Sequence, residues 1–337
     1  MDNILAKIGV ERQNTLALLI AFALASIVPV ELFLFSYIVL GPLHYLTEIQ
    51  WLRQRQYFLN SKYSFAFFFC VAFILLASSL ALASETLHLN INQWLPQGAG
   101  VYLKLWPFIL FLLFFSILVL TVFGSWGARV FGALAVVFTL CFVITQPRAW
   151  SGFILFCVYL TTIIHVWLFT ILFMAYGYMK NSTTVGRINL LLFALLPALF
   201  FAPMGSALHI LHITPSPNLL GIYHYMMKSV HEVSGLNLDN LEHSMRVFSF
   251  IKFIAFIYTY HYLNWFTKTR IIGWHRIRRA HLVLLTATWL FTISLYFIDI
   301  RLGFLSLFVL SLGHVLLEFP LNAKTLRDLS QAIGVKV

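Results

Sequence analysis

The run KLWPFILFLLFFSILVLTVF, from Lys104 to Phe123, decides the fold class. It carries one charge, at its edge, and one serine; as a helix, a run of this length rises about 30 Å, the thickness of a bilayer's hydrocarbon core. A helix on a soluble protein needs one apolar face, whereas this one is apolar all round. Comparable runs recur near 14–28, 30–51, 63–83, 127–145, 150–178, 188–207, 245–266, 281–298 and 302–320. They predict an all-α, polytopic transmembrane helix bundle of about ten spans. We expect 1–337 to form a single integral membrane domain without a soluble appendage, its longest connector at 208–244.

Composition leads to the same class. Hydrophobic residues make up 61% of the chain and charged ones 10%, against about 25% charged in an average soluble domain. Cys70, Cys141 and Cys157 all lie in apolar runs, where cysteine packs as a small hydrophobe, so neither a disulfide framework nor a thiolate metal site is expected. Ala23-Leu24-Ala25-Ser26 imitates a signal-peptide cleavage site, but apolar residues continue beyond it and a retained helix is expected. P-loop, GxSxG and CxxC patterns are missing from the sequence, which argues against nucleotide-driven transport.

Basic residues orient the bundle, because short cytoplasmic loops retain Lys and Arg. With the N-terminus inside, all but six of the 22 basic residues fall in cytoplasmic segments; the exceptions are Lys104, Arg148, Lys228, Arg246, Lys252 and Arg301. Ten spans with both termini cytoplasmic satisfy this bias, which suits a bacterial inner membrane. Topology and attraction to membrane lipids then account for the net charge of +11, and no nucleic acid partner is expected.

Polar residues inside these spans are costly and mark function by default. The runs Gly41-Pro42-Leu43-His44-Tyr45-Leu46-Thr47-Glu48 and Gly313-His314-Val315-Leu316-Leu317-Glu318 each set a histidine four residues before a glutamate, so imidazole and carboxylate share a helix face. The expected topology brings both pairs toward the cytoplasmic ends of their spans. His261 reaches that level in the eighth span, with Asn264 nearby, and His275 and His281 follow among Arg276, Arg278 and Arg279. We therefore expect His44, Glu48, His261, His275, His314 and Glu318 to gather as metal ligands, with Glu48 and Glu318 also available for catalysis. Interhelical hydrogen bonding is the plainer alternative for the two pairs, and contact with lipid headgroups for His275 and His281.

Other histidines compete. His209, His212, His224, His231 and His243, with Glu232, Asp239 and Glu242, lie on the outer side and form either a second site, the principal site or a solvated loop. His165 stands alone in the sixth span; a hydrogen bond to a neighbouring helix is its expected role, with membership of a deep site as the alternative. His88 lies in an outer loop.

A mixed imidazole and carboxylate set suits iron, manganese or zinc better than copper(I) or an iron–sulfur cluster. The favoured expectation is a non-haem iron mono- or dioxygenase acting on a lipophilic substrate, with an electron donor as a possible partner. Aromatic residues, 17% of the chain with 34 phenylalanines, are compatible with an apolar tunnel. The run from Gly41 to Glu48 resembles the Pro-His-x-x-x-Asp type of motif of the bacterial Brp/Blh-like β-carotene 15,15'-dioxygenase family, multi-pass membrane proteins with histidine-ligated non-haem iron. Glu48 stands where that motif has aspartate, and Leu43 separates Pro42 from His44. The resemblance implies a membrane-embedded iron site that cleaves or oxidises a carotenoid-like or lipid substrate. Two alternatives stay open: a zinc-dependent intramembrane lipid hydrolase with Glu48 or Glu318 as general base, and a proton- or metal-coupled secondary transporter using the His–Glu pairs as a relay.

Overall fold

The computed structural model describes residues 2–55, 73, 99–123, 125–146, 152–153, 156–157, 159–202, 216–217, 219, 221, 245–268, 277–332 and 334. The expected third span (63–83) and the 208–244 connector lie almost wholly outside these residues. Among the described residues every regular element is helical. Five stretches among the described residues are long and apolar enough to cross a membrane: Gly9–Ile27, Pro29–Leu52, Leu160–Lys180, Arg279–Ile298 and Ile300–Ala332. The protein is an all-helical membrane protein.

In chain order the helices are α1 (Asp2–Ile27), α2 (Pro29–Phe35), α3 (Gly41–Arg55), α4 (Ala99–Val122), α5 (Trp126–Thr145), α6 (Thr170–Lys180), α7 (Thr184–Leu195), α8 (Met245–Phe266), α9 (Arg279–Ile298) and α10 (Ile300–Ala332). Ser36–Leu40, between α2 and α3, is a π-helical segment, as is Leu160–Phe169 ahead of α6. Pro29 occupies the first turn of α2, where its missing N–H leaves no helical bond unmade. Thr183 caps α7, its Oγ1 accepting from Gly186 N at 3.0 Å, and Ser125 caps α5 through Ala128 N at 3.2 Å.

The chain divides into two compact units. The first contains Met1–His44, Ile163–His231 and Leu236–Trp289. Within it α8 is the central helix, packed by α1, by α2 with its π-helical continuation, and by the 3₁₀ turn Leu196–Phe200. Small residues permit the α1–α8 approach: Ala21, Ala25 and Ala255 are fully buried. Phe22 stacks on Phe200 at 4.9 Å and meets Phe256 edge-on at 5.8 Å. A buried hydroxyl pair, Ser36 Oγ with Thr259 Oγ1 at 2.6 Å, ties the π segment to α8. Toward the N-terminal part of α1, the Thr183 hydroxyl donates to the Glu11 carboxylate and Asn189 Nδ2 donates to Glu11 O at 2.9 Å, joining α1 to α7.

The second unit contains Tyr45–Thr162, Glu232–Gly235 and Leu290–Val337. Here α4 packs on α10 and α5 on α4, with Phe114 edge-on to Phe319 at 4.9 Å. A Cβ on Gly132 would come 2.9 Å from Val119 Cγ2, so glycine sets how closely α5 lies on α4. Gly303 plays the same part beneath the Tyr296 ring at the α9–α10 turn. Large apolar side chains on α5 stay exposed, Trp126 at 79% and Phe131 at 74%. Hydrocarbon is the solvent that accepts such a surface without penalty.

Candidate metal centre

Three histidines meet in the first unit, each buried: His44 at the start of α3, His165 in the π segment ahead of α6, and His261 on α8. His261 Nε2 lies 3.1 Å from His44 Nε2, the rings 4.7 Å apart between centroids. The His165 ring is 5.4 Å from that of His261 and within electrostatic reach of His44. Two of the three histidines sit in or just beyond a π-helical segment; such widened turns re-aim side chains and recur at functional sites.

Thr170 engages the far nitrogen of His261. Its Oγ1 is 2.7 Å from His261 Nδ1. If Nδ1 carries the proton and donates to the hydroxyl, the Nε2 lone pair faces His44, the arrangement that orients metal-ligating histidines generally. Two facing lone pairs repel unless a proton or a cation lies between them. Metal–nitrogen bonds of about 2.1 Å meeting at about 95° separate two nitrogens by about the observed distance, and a direct N–H···N hydrogen bond fits it too. His165 brings a third imidazole beside the pair, its ring 5.4 Å from that of His261. Tyr262 and Trp265 wall the His44 ring at centroid distances of 5.1 and 5.4 Å, keeping water from it. Asn264, buried three residues beyond His261, has its Oδ1 without a hydrogen bond.

The second unit holds a group of different composition. Glu48 on α3 and His314 and Glu318 on α10 are at most 3% exposed. The imidazole of His314 lies with a ligand atom within 4.8 Å of each carboxylate, and Glu48 acts electrostatically on Glu318. Tyr45 stacks on His314 at 4.1 Å and 19°, fixing the ring plane. Just past Glu318, Pro320 lacks the N–H that would bond the Leu316 carbonyl, which loosens α10 at that point.

Of the expected ligands, His44 and His261 thus adjoin in the first unit, and Glu48, His314 and Glu318 adjoin in the second. His275 lies outside the described residues, as do His88, His209, His212, His224, His231, His243, Glu232, Asp239 and Glu242. His281 is exposed at the start of α9. His165 joins His261 although its sequence neighbourhood names no partner; the one signal was a histidine deep in an apolar run. Thr170 gave no signal, since a threonine within a span most often bonds its own backbone.

No protein-family model matches this chain, and no curated protein and no solved structure matches it. Fold and site define its class: an all-helical membrane protein with a buried cluster of histidines in one unit and of histidine and carboxylates in the other.

Proposed function

We propose that this protein is a membrane-embedded metalloenzyme, a non-haem iron oxygenase acting on a lipophilic, carotenoid-like or lipid substrate. It spans a bacterial inner membrane about ten times with both termini cytoplasmic. The observation that carries this reading is the meeting of His44 and His261, with Nε2 atoms 3.1 Å apart, a hydroxyl positioned on the far nitrogen of His261, and the His165 ring 5.4 Å from that of His261. The three imidazoles would hold the ion, a donor set that fits iron or zinc better than copper(I). When bound, iron supplies an open coordination position and the activation of dioxygen. Thr170 holds the His261 ring in place, and Tyr262 and Trp265 exclude water from the reacting centre. The substrate reaches the site from the bilayer, into which it partitions. A monooxygenase would in addition need a partner that donates two electrons, which a dioxygenase does not. The likeness of the Gly41–Glu48 run to the Brp/Blh-like family belongs to the same reading.

The carboxylates of the second unit favour one alternative. Glu48 and Glu318 beside His314 are the types of group that serve zinc hydrolases as ligand and general base, so a lipid ester or amide would be the substrate of that chemistry. Metal analysis separates the two. Protein purified anaerobically from iron-replete cells in mild detergent is expected to carry iron stoichiometrically and to lose it in His44→Ala and His261→Ala. Stoichiometric zinc in place of iron would replace oxygenation by hydrolysis, and metal-free protein from the same preparation would refute both.

A further inference from the structure

Asn322 lies on α10 one turn beyond Glu318 and two beyond His314, so the three side chains share one helix face. Its exposure is zero, and neither Nδ2 nor Oδ1 has a hydrogen-bond partner among the described residues. A buried carboxamide in that condition bears the desolvation penalty of a donor and of an acceptor with nothing returned. Packing gives no reason for it, because an apolar side chain branched at the same carbon carries neither penalty. Phe319 and Ala323 are buried near it on the same helix, as are Glu318 and Thr325. An amide so placed, next to Glu318, has the character of a recognition group waiting for a ligand.

The chemistry of the amide and its neighbours selects that ligand. Nδ2 donates and Oδ1 accepts, side by side, so the complement is a group that both accepts and donates. A carboxylate cannot donate, and it would meet Glu318 one turn away, at about 5–6 Å between Cβ atoms, in the company of Glu48. A hydroxyl satisfies both atoms and adds no charge. We infer that Asn322 anchors the hydroxyl group of a long-chain or terpenoid alcohol, so that the second unit binds an amphiphilic alcohol in preference to an unsubstituted hydrocarbon. This inference is independent of the oxygenase reading; binding through Asn322 requires no metal.

The test is equilibrium binding of 1-hexadecanol and of hexadecane to the full chain in nanodiscs, with metal loaded and after chelation. Wild-type protein is expected to prefer the alcohol by about tenfold, one well-made buried hydrogen bond. Asn322→Leu is expected to abolish the preference with its thermal midpoint unchanged or raised, and Asn322→Ser to keep part of it. The inference fails if wild type does not discriminate or if Asn322→Leu retains the preference. It fails also if Asn322→Leu lowers the midpoint by several degrees, because the amide would then be holding the fold through a trapped water. A preference that persists in chelated protein and in His261→Ala stands even where the oxygenase reading falls.

Discussion

At the scale of single residues, the hydroxyl of Thr170 decides more than its size implies. His261 can present Nε2 as a lone pair only while Nδ1 keeps its proton, and Thr170 Oγ1 at 2.7 Å is the acceptor in position to keep it there. Thr170→Val preserves the shape and removes that acceptor. We expect metal affinity to fall about 10- to 100-fold, as loss of such a supporting hydrogen bond does elsewhere, with helix content of the metal-free protein unchanged and its thermal midpoint lowered by the buried Nδ1–H left without an acceptor. Competition with a graded series of chelators measures the affinity; a variant that binds as tightly as wild type would show that Thr170 donates to Nδ1, and that a proton joins the two histidines. His44 and His261 were legible in the sequence because intramembrane polar residues are expensive and these two fall at one depth. Thr170 and the company of His165 were not, since pairings between residues 91 positions apart (Thr170 with His261) come from helix packing, which no local spacing encodes.

At the scale of elements, apolar runs located helices well and their ends poorly. The residues from Met245 to Phe266 form one helix, as the run of 245–266 predicts. By contrast α10 continues to Ala332, beyond the apolar run that stops near Pro320, because its last turns, with Lys324, Arg327 and Asp328, have helix-compatible residues that need no hydrocarbon. The π-helical turns had no signature in hydrophobic periodicity. The short α9–α10 turn depends on Asp299: its Oδ1 accepts from Arg301 N at 2.7 Å, which caps α10, and its carboxylate pairs with the Arg301 guanidinium at 2.6 Å. These bonds hold the Asp299 carboxyl at about 2, below the ordinary 3.8. A carboxylate depressed in the folded state stabilises it above the unfolded value, and that contribution is lost as pH falls through the folded one. The thermal midpoint of wild type is therefore expected to exceed that of Asp299→Asn by a constant margin from neutrality to about pH 5, and the margin to close between about pH 4 and 2. Because the turn is solvent-facing the margin is small. A margin independent of pH would mean that the capping bond alone, and not the charge, supports the turn.

At the scale of the whole molecule, the placement of basic residues makes a prediction independent of any chemistry. The energetic reason is that Lys and Arg in short loops are retained on the cytoplasmic side during insertion. Under the ten-span arrangement the turn between α6 and α7, where Ser182 is exposed, is cytoplasmic, and the segment after α5, where Gln146 is exposed, faces outward. We expect single cysteines introduced in a background without Cys70, Cys141 and Cys157 to report this directly. Gln146→Cys is expected to react with a membrane-impermeant maleimide in intact cells. Ser182→Cys is expected to react only after permeabilisation. An odd number of spans between the N-terminus and Gln146 places that residue outside; labelling of Ser182→Cys in intact cells would invert the orientation, and labelling of both would reduce the number of spans between them to an even count. The orientation also bears on the metal centre. Under the ten-span arrangement His44 and His261 would lie toward the cytoplasmic ends of their spans, so an inverted result would take the proposed site away from a cytoplasmic electron donor and favour the dioxygenase form of the oxygenase reading.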